Sequence, residues 1–149
     1  MSSDPTYDAI ERLRLPLYAF AFLLVAHPLG DFVANVWPLR FGSVEWRYGV
    51  MGLLSGFLLT PMFGLALTLL VASIVGDRRV TVTVGWTSIA AGALLVVMTI
   101  FFALEILQFR SSVPAEGRGQ FDIGSWKAVA KHLVTAPVLI WMGRAAVRR

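Results

Sequence analysis

Residues 37–67, WPLRFGSVEWRYGVMGLLSGFLLTPMFGLAL, decide how this chain folds. The stretch opens with a short polar connection and enters an apolar run that continues to Val75 without a charged residue. Small residues recur along the run at spacings of three and four, so on a helix they form one stripe. These residues are Gly49, Gly52, Gly56, Thr60 and Gly64. Gly52 and Gly56 form a GxxxG pair, which lets another helix approach closely in lipid. The stretch therefore predicts a membrane protein with tight helix packing.

The composition agrees with a membrane protein. Of the 149 residues, 57% are hydrophobic and 15% charged, whereas soluble domains carry about 45–50% apolar and roughly 25% charged residues. The net charge is +4, but the 13 Lys and Arg are scattered at the ends of apolar runs, where they suit lipid headgroups better than nucleic acid. The absence of cysteine excludes disulfides and thiolate metal sites.

The pattern predicts an all-α integral membrane protein with four transmembrane helices in two hairpins, forming a single domain over residues 1–149. A short amphipathic helix on the membrane surface, starting at Ser3-Asp4-Pro5, is expected to lead into the first span. The second span should kink at Thr60-Pro61. Residues 111–125 form the longest predicted loop, in which Asp122 or Ser125 caps the fourth helix. The predicted spans cover about residues 13–37, 49–75, 82–109 and 126–147.

The distribution of basic residues predicts the orientation of the spans. In the four-span layout, Lys and Arg are slightly more numerous on the side that holds both termini. By the positive-inside rule, both termini then lie in the cytoplasm. We therefore expect a multi-pass protein of a bacterial inner membrane.

Four polar side chains are expected in the same half of the membrane: Asp31, Glu105, Lys131 and His132. An unpaired charge in hydrocarbon costs about 2.5–3.5 kcal/mol, so each should have a partner. The layout predicts a Glu105–Lys131 pair, with Asp31 close to His132 or Arg47. Such a cluster would serve either as a polar lock that holds the bundle together or as a proton or ion path using Asp31 and Glu105.

The two histidines, His27 and His132, are the only candidate cofactor ligands, since neutral imidazole is a common axial ligand of haem and of chlorophyll or bacteriochlorophyll. Their depths differ by about 6 Å at 1.5 Å per residue, which argues against one haem held by both. In the alternative interpretation, His27 hydrogen-bonds to Asp31 one helical turn later. No catalytic signature stands out, so we expect a non-enzymatic protein without a cofactor.

The glycine pattern also predicts the kind of partner. Ser88 and Gly92 provide a second small-xxx-small contact in the third span. The preferred function is a small subunit or scaffold that packs through its glycine-rich second helix against a larger membrane complex or against itself. The rival functions are a pigment- or haem-contacting accessory subunit of a photosynthetic or electron-transfer complex, and a transport component.

One family shares features of the central stretch. Trp46, Arg47, Gly49, Gly52 and the 60–67 run resemble the HpsJ-like small membrane proteins of bacterial envelopes. That family is linked in cyanobacteria to the secretion of hormogonium polysaccharide. The resemblance implies a small multi-pass envelope protein and identifies no site residue.

Overall fold

The computed structural model describes residues 5–148, with side chains from residue 11 onward. Over this range the chain is helical and contains no strand, which confirms the all-α class. The helices are α1 (Pro5–Val36), α2 (Val44–Phe57), α3 (Leu59–Val75), α4 (Arg78–Arg110) and α5 (Arg118–Arg148), with a 3₁₀ turn at Ala115–Gly117.

Local sequence signals explain where several helices begin and end. The Ser43 side chain accepts a hydrogen bond from the Trp46 amide at 3.1 Å and so caps α2. Gly76 ends α3 in the left-handed conformation, at φ 76°, which a residue without Cβ adopts without strain. Asp77 then caps α4 by accepting from the Val80 amide at 3.1 Å. These signals produce the tight turn predicted between the second and third spans.

The second apolar segment is broken rather than straight. Helices α2 and α3 meet at Leu58 with a bend of 44°. The break lies one turn before the predicted Thr60-Pro61 kink. Pro61 has no amide hydrogen and its ring crowds the carbonyl four residues earlier, at Phe57, which is the last residue of α2.

The helices form two antiparallel hairpins around this bent segment. Helix α1 packs along α3, and α4 packs along α5 over their full lengths. Arg78, at the start of α4, donates to the carbonyl of Ala146 at 3.2 Å, while Arg110, at the end of α4, pairs with Asp122. The bent segment contacts all the other helices. Within the described residues, α1 contacts only α2 and α3, so it stands apart from the α4–α5 hairpin.

Two helical segments are long and apolar enough to cross a membrane, Glu11–Val36 and Arg78–Arg110. The bent pair Val44–Phe57 and Leu59–Val75 makes a third if it forms one span. The structure thus carries two or three of the four predicted spans. Helix α5, which contains the predicted fourth span, carries Lys127, Lys131 and Arg144 and does not meet the same test.

Two predicted boundaries differ from the structure. The lead-in and the first span form one helix from Pro5, and the side chains of Tyr7 and Ile10, on which the amphipathic face depends, lie outside the described residues. The predicted 111–125 loop is shorter, because α5 begins at Arg118. The polar residues of this stretch predicted a loop. In the structure Asp122 and Ser125 lie within α5 and contact other helices, so neither residue caps α5.

Candidate functional site

The four side chains predicted to form one polar cluster are separated in the structure. Glu105 pairs with Arg47 of α2, whose Nε donates to Oε1 at 2.5 Å and whose Nη2 donates to Oε2 at 3.2 Å. The Glu105 side chain is 14% exposed and that of Arg47 32%. The predicted Glu105–Lys131 pair is wrong, because α2 packs against α4 at this level and brings a different cation to the carboxylate.

Lys131 and His132 are neighbours on α5 with different surroundings. Lys131 Nζ donates to the carbonyl oxygen of Ser55 at 3.4 Å, which connects α5 to α2. The His132 side chain is fully buried and meets the Phe102 ring edge-on, with 5.9 Å between the ring centroids. Among the residues described, neither ring nitrogen of His132 has a hydrogen-bond partner. In this structure His132 contributes an aromatic contact to the core.

The sequence analysis missed the aromatic cluster that joins α2, α4 and α5. The Tyr48 hydroxyl lies 2.9 Å from Ser125 Oγ, and its ring stacks on Phe121 with centroids 5.0 Å apart. Phe102 and Phe109 flank the same ring at 5.5 and 5.1 Å. These two phenylalanines are seven residues apart, which places them on one face of α4. That spacing was the sequence signal from which the aromatic cluster could have been predicted. Together with the Arg47–Glu105 pair, this cluster fixes which face of α2 points inward.

Asp31 lies on α1, away from the other members of the predicted cluster. Its Oδ2 is 3.0 Å from Nδ1 of His27, as the spacing of four predicts, and the two side chains are 51% and 75% exposed. His132 is not its neighbour, because α1 makes no contact with α5 in the described part of the chain. Arg47, the other expected neighbour, pairs instead with Glu105. The His27–Asp31 pair therefore faces outward.

Some of the predicted packing residues form close helix contacts within the chain. A Cβ on Gly64 would lie 2.7 Å from the Ala21 carbonyl oxygen, so α3 and α1 meet there almost backbone to backbone. A Cβ on Gly92 would lie 2.9 Å from the Ala136 carbonyl oxygen on α5. Ser88 is fully buried in the same interface and donates to the Val84 carbonyl at 2.8 Å. Gly85 and Gly143, which the sequence analysis did not single out, extend this close contact.

The rest of the predicted stripe does not pack within the described chain. A Cβ on Gly49, Gly52 or Gly56 would meet no atom within 4 Å, and Thr60 is exposed. The bend at Leu58 separates these residues from Gly64. The single stripe expected from the sequence is therefore two surfaces, of which α1 covers one. We call the other, lined by Gly49, Gly52 and Gly56, the glycine groove.

Helical periodicity shows which helices flank the glycine groove. On α2, Phe57 packs edge-on against Phe32 of α1, and Ser55 accepts from Lys131 of α5. Successive residues turn by 100°, so Gly52 and Gly56 lie on the face between these two contacts. Because α1 and α5 do not contact each other, this face is open. The glycine groove is thus bounded by α1 on one side and by α5 on the other.

Asp31 lies near the depth of Gly56, the innermost residue of the glycine groove. Asp31 adjoins Phe32 on α1 and Gly56 adjoins Phe57 on α2, and the two phenylalanine rings pack against each other with centroids 6.3 Å apart. Gly52 lies about 6 Å closer to the start of α2, at 1.5 Å per residue. On α1, Asp31 projects on the side opposite Leu29, which lines the cleft between α1 and α4. The carboxylate is therefore exposed on the side of α1 away from that cleft.

The structure does not bring the two histidines together. His27 is exposed on α1, whereas His132 of α5 is buried against Phe102 of α4, so the two do not form a pair of axial ligands. No group of three or more His, Cys, Asp or Glu side chains able to hold a metal ion occurs among the residues described.

Comparisons with protein-family models, curated proteins and solved structures found no match to this chain. Its function is therefore inferred from the residues and their geometry.

Proposed function

We propose that this protein is a small, non-enzymatic membrane subunit that receives a transmembrane helix of a larger bacterial membrane complex in its glycine groove. The observation that carries the proposal is the open space over Gly49, Gly52 and Gly56, together with an exposed carboxylate on the neighbouring helix α1. In lipid, small residues allow close backbone approach and polar side chains supply hydrogen bonds between helices. Both features occur here, on two helices that contact each other.

The exposed His27–Asp31 pair indicates the chemistry of the incoming helix. A carboxylate at membrane depth is costly when it faces lipid, even with an imidazole beside it. A partner helix that carries a hydrogen-bond donor, such as Lys, Arg, Asn or Gln, opposite Asp31 would remove that cost. The outer face of the partner would be apolar, and the surface against Gly52 and Gly56 would carry the larger side chains.

The proposed topology has four crossings, with both termini in the cytoplasm of a bacterial inner membrane. Helix α5 lies antiparallel to α4 from Arg110–Asp122 at one end to Arg78–Ala146 at the other, so it matches the length of a candidate span. Its Arg144 would extend toward one headgroup region, while Lys131 donates to the Ser55 carbonyl of α2. The resemblance to small envelope proteins in residues 37–67 agrees with this placement.

The first experiment is purification from native membranes in nanodiscs, with mass spectrometry of the co-purifying proteins and a visible spectrum of the same sample. We expect a stoichiometric larger membrane protein and no visible band. A colourless protein that purifies alone as a monomer would contradict the subunit function and favour transport through Asp31. A visible band would favour the pigment- or haem-contacting alternative.

Two matched substitutions test whether the glycine groove is the contact. Gly52→Leu adds a side chain where the chain itself has no atom within 4 Å, so the fold should be unchanged while the partner is lost. Ala93→Leu adds similar bulk to the exposed side of α4, outside the glycine groove, and should retain the partner. Retention of the partner by Gly52→Leu would show that it binds elsewhere.

A further inference from the structure

A second groove lies on the α4–α5 hairpin and has a different character. It encloses about 410 Å³ along the seam between the two helices, near the loop that joins them. Its inner part is apolar and includes the small side chain of Ala103 beside Leu107 and Val129. Its outer part is formed by Arg110 and Asp122. The second groove thus combines a narrow apolar inner part with a charged outer part, which we call its mouth.

The mouth pairs a guanidinium with a carboxylate, and a second guanidinium lies one helical turn away. The Arg110 side chain, 52% exposed, donates from Nε and Nη2 to Asp122 at 2.8 and 2.9 Å. Its third nitrogen, Nη1, donates to no acceptor among the described residues. Arg118 lies one turn before Asp122 on α5 and donates from Nε to the Val113 carbonyl at 3.2 Å. Arg110 therefore keeps one nitrogen available to an anion beside its pairing with Asp122, and Arg118, which does not bond to that carboxylate, supplies a second guanidinium one turn away.

Trp126 marks the level of this mouth relative to a membrane. It lines the second groove and is 72% exposed. Tryptophan is enriched where a protein surface passes from hydrocarbon into headgroups. The apolar part of the second groove runs from this level toward the centre of the hairpin, so the charged end would lie among headgroups and the apolar end among acyl chains.

We infer that the second groove is a binding site for an anionic glycerophospholipid. The headgroup phosphate accepts hydrogen bonds from Arg110 and Arg118, and one acyl chain follows the seam past Ala103. Basic residues at the mouth of a groove between membrane helices favour anionic over zwitterionic headgroups. This inference rests on the proposed membrane placement but not on the partner helix of the glycine groove.

An apolar cleft elsewhere in the molecule offers a comparison for the second groove, because its lining carries no charge. The cleft between α1 and α4 at the bend encloses about 260 Å³ and is lined by apolar side chains and one threonine, Thr87. It has no basic residue among its lining, so it offers nothing to distinguish one headgroup from another. We expect it to take any acyl chain, and it serves as an internal reference.

The test is native mass spectrometry of the purified full-length protein titrated with phosphatidylglycerol or with phosphatidylcholine. The unaltered protein should bind phosphatidylglycerol several-fold more tightly. Arg110→Gln removes the main cation and should weaken phosphatidylglycerol about fivefold and phosphatidylcholine, whose phosphate is offset by its own cation, much less. Ala103→Leu fills the apolar part and should weaken both lipids.

Asp122→Asn separates recognition of the headgroup from the shape of the second groove. It breaks the same ion pair as Arg110→Gln but leaves the guanidinium free, so phosphatidylglycerol binding should hold or tighten. Equal weakening by both substitutions would show that the ion pair only maintains the shape of the second groove and would overturn the site. Equal binding of the two lipids by the unaltered protein would overturn it as well.

The proposed membrane placement is measured separately, by recovery of the protein in the membrane fraction after alkaline extraction. A protein released by this treatment would overturn the membrane placement. A protein retained there without lipid preference would overturn only the lipid site.

Discussion

Two sets of small residues in this chain, Gly85, Ser88 and Gly92 on α4 and Gly49, Gly52 and Gly56 on α2, share the same spacing but have different surroundings. At the α4–α5 interface, Gly92 lies so close to α5 that any side chain would collide with the Ala136 carbonyl. On α2, a Cβ added to Gly52 or Gly56 would meet no atom within 4 Å beyond the backbone of its own helix, among the residues described. Small residues at spacings of three and four therefore show where a backbone approach is allowed, and the rest of the fold decides whether a helix of the same chain makes it.

The largest expected effect is a loss of stability at the closed interface. Gly92→Leu would force α4 and α5 apart and should lower the free energy of unfolding by about 3 kcal/mol or prevent folding. Gly52→Leu should change it by less than about 0.5 kcal/mol. Thermal unfolding of both variants in the same detergent measures the difference. Equal losses would show that the glycine groove is closed in the folded protein.

A smaller effect is expected at the ion pair that orients α2. Glu105→Ala leaves Arg47 without its carboxylate and removes the link between α2 and α4. The unfolding temperature should fall, though by less than in Gly92→Leu, because the Tyr48 cluster still holds α2. Glu105→Asp, which keeps the charge, should recover part of the loss. If Glu105→Ala leaves the unfolding temperature unchanged, the ion pair is not needed to orient α2.

At the open surface, we expect a change in binding without a change in stability. Asp31→Asn keeps the size of the side chain and removes its charge, so the free energy of unfolding should change by less than about 0.5 kcal/mol. Binding of the co-purifying partner should weaken about tenfold if its helix places a cation opposite Asp31. Asn35→Asp, one turn later on the same exposed face, is the control for added charge. A partner retained equally by Asp31→Asn would place the contact elsewhere.

The smallest expected effect is a dependence of stability on pH at the end of the closed hairpin. The hydrogen bonds from Arg110 lower the pKa of the Asp122 carboxyl below its ordinary value. The stabilisation is therefore complete above the pKa of the unfolded chain, about 3.9, and is lost as the pH falls through the lower folded value. Unfolding temperatures measured from pH 6 downward should show a decrease in the unaltered protein that is reduced in Asp122→Asn. If the unfolding temperature depends on pH identically in the two proteins, the Arg110–Asp122 ion pair is not the cause of the decrease.

Much of the architecture could be predicted because it depends on local patterns. Apolar runs, the turn at Gly76-Asp77 and the proline at position 61 identified the helices and the broken segment. The spacing of Ser88 and Gly92 likewise pointed to a contact that the structure contains. These features follow from residues close together in the sequence, whose periodicity and turn chemistry carry the information.

The partners of the polar residues could not be predicted in the same way. Depth alone placed Glu105 near Lys131, but depth does not give the rotation of each helix about its axis. That rotation follows from long-range packing, here of Tyr48 against the phenylalanines of α4 and α5. The same rotation brings Arg47 to Glu105 and turns Gly52 outward. An error in the predicted rotation of α2 about its axis therefore changes both the predicted partner of Glu105 and the predicted surroundings of Gly52.

The bend at Leu58 places the two halves of the second apolar segment in separate helices. The contact of Gly64 with α1 and the open face of Gly52 lie on different helices, α3 and α2. A substitution in the glycine groove need not be accommodated by the α1–α3 contact. The outward surface can thus diverge in sequence, and acquire a different neighbour, while the bundle that carries it stays the same.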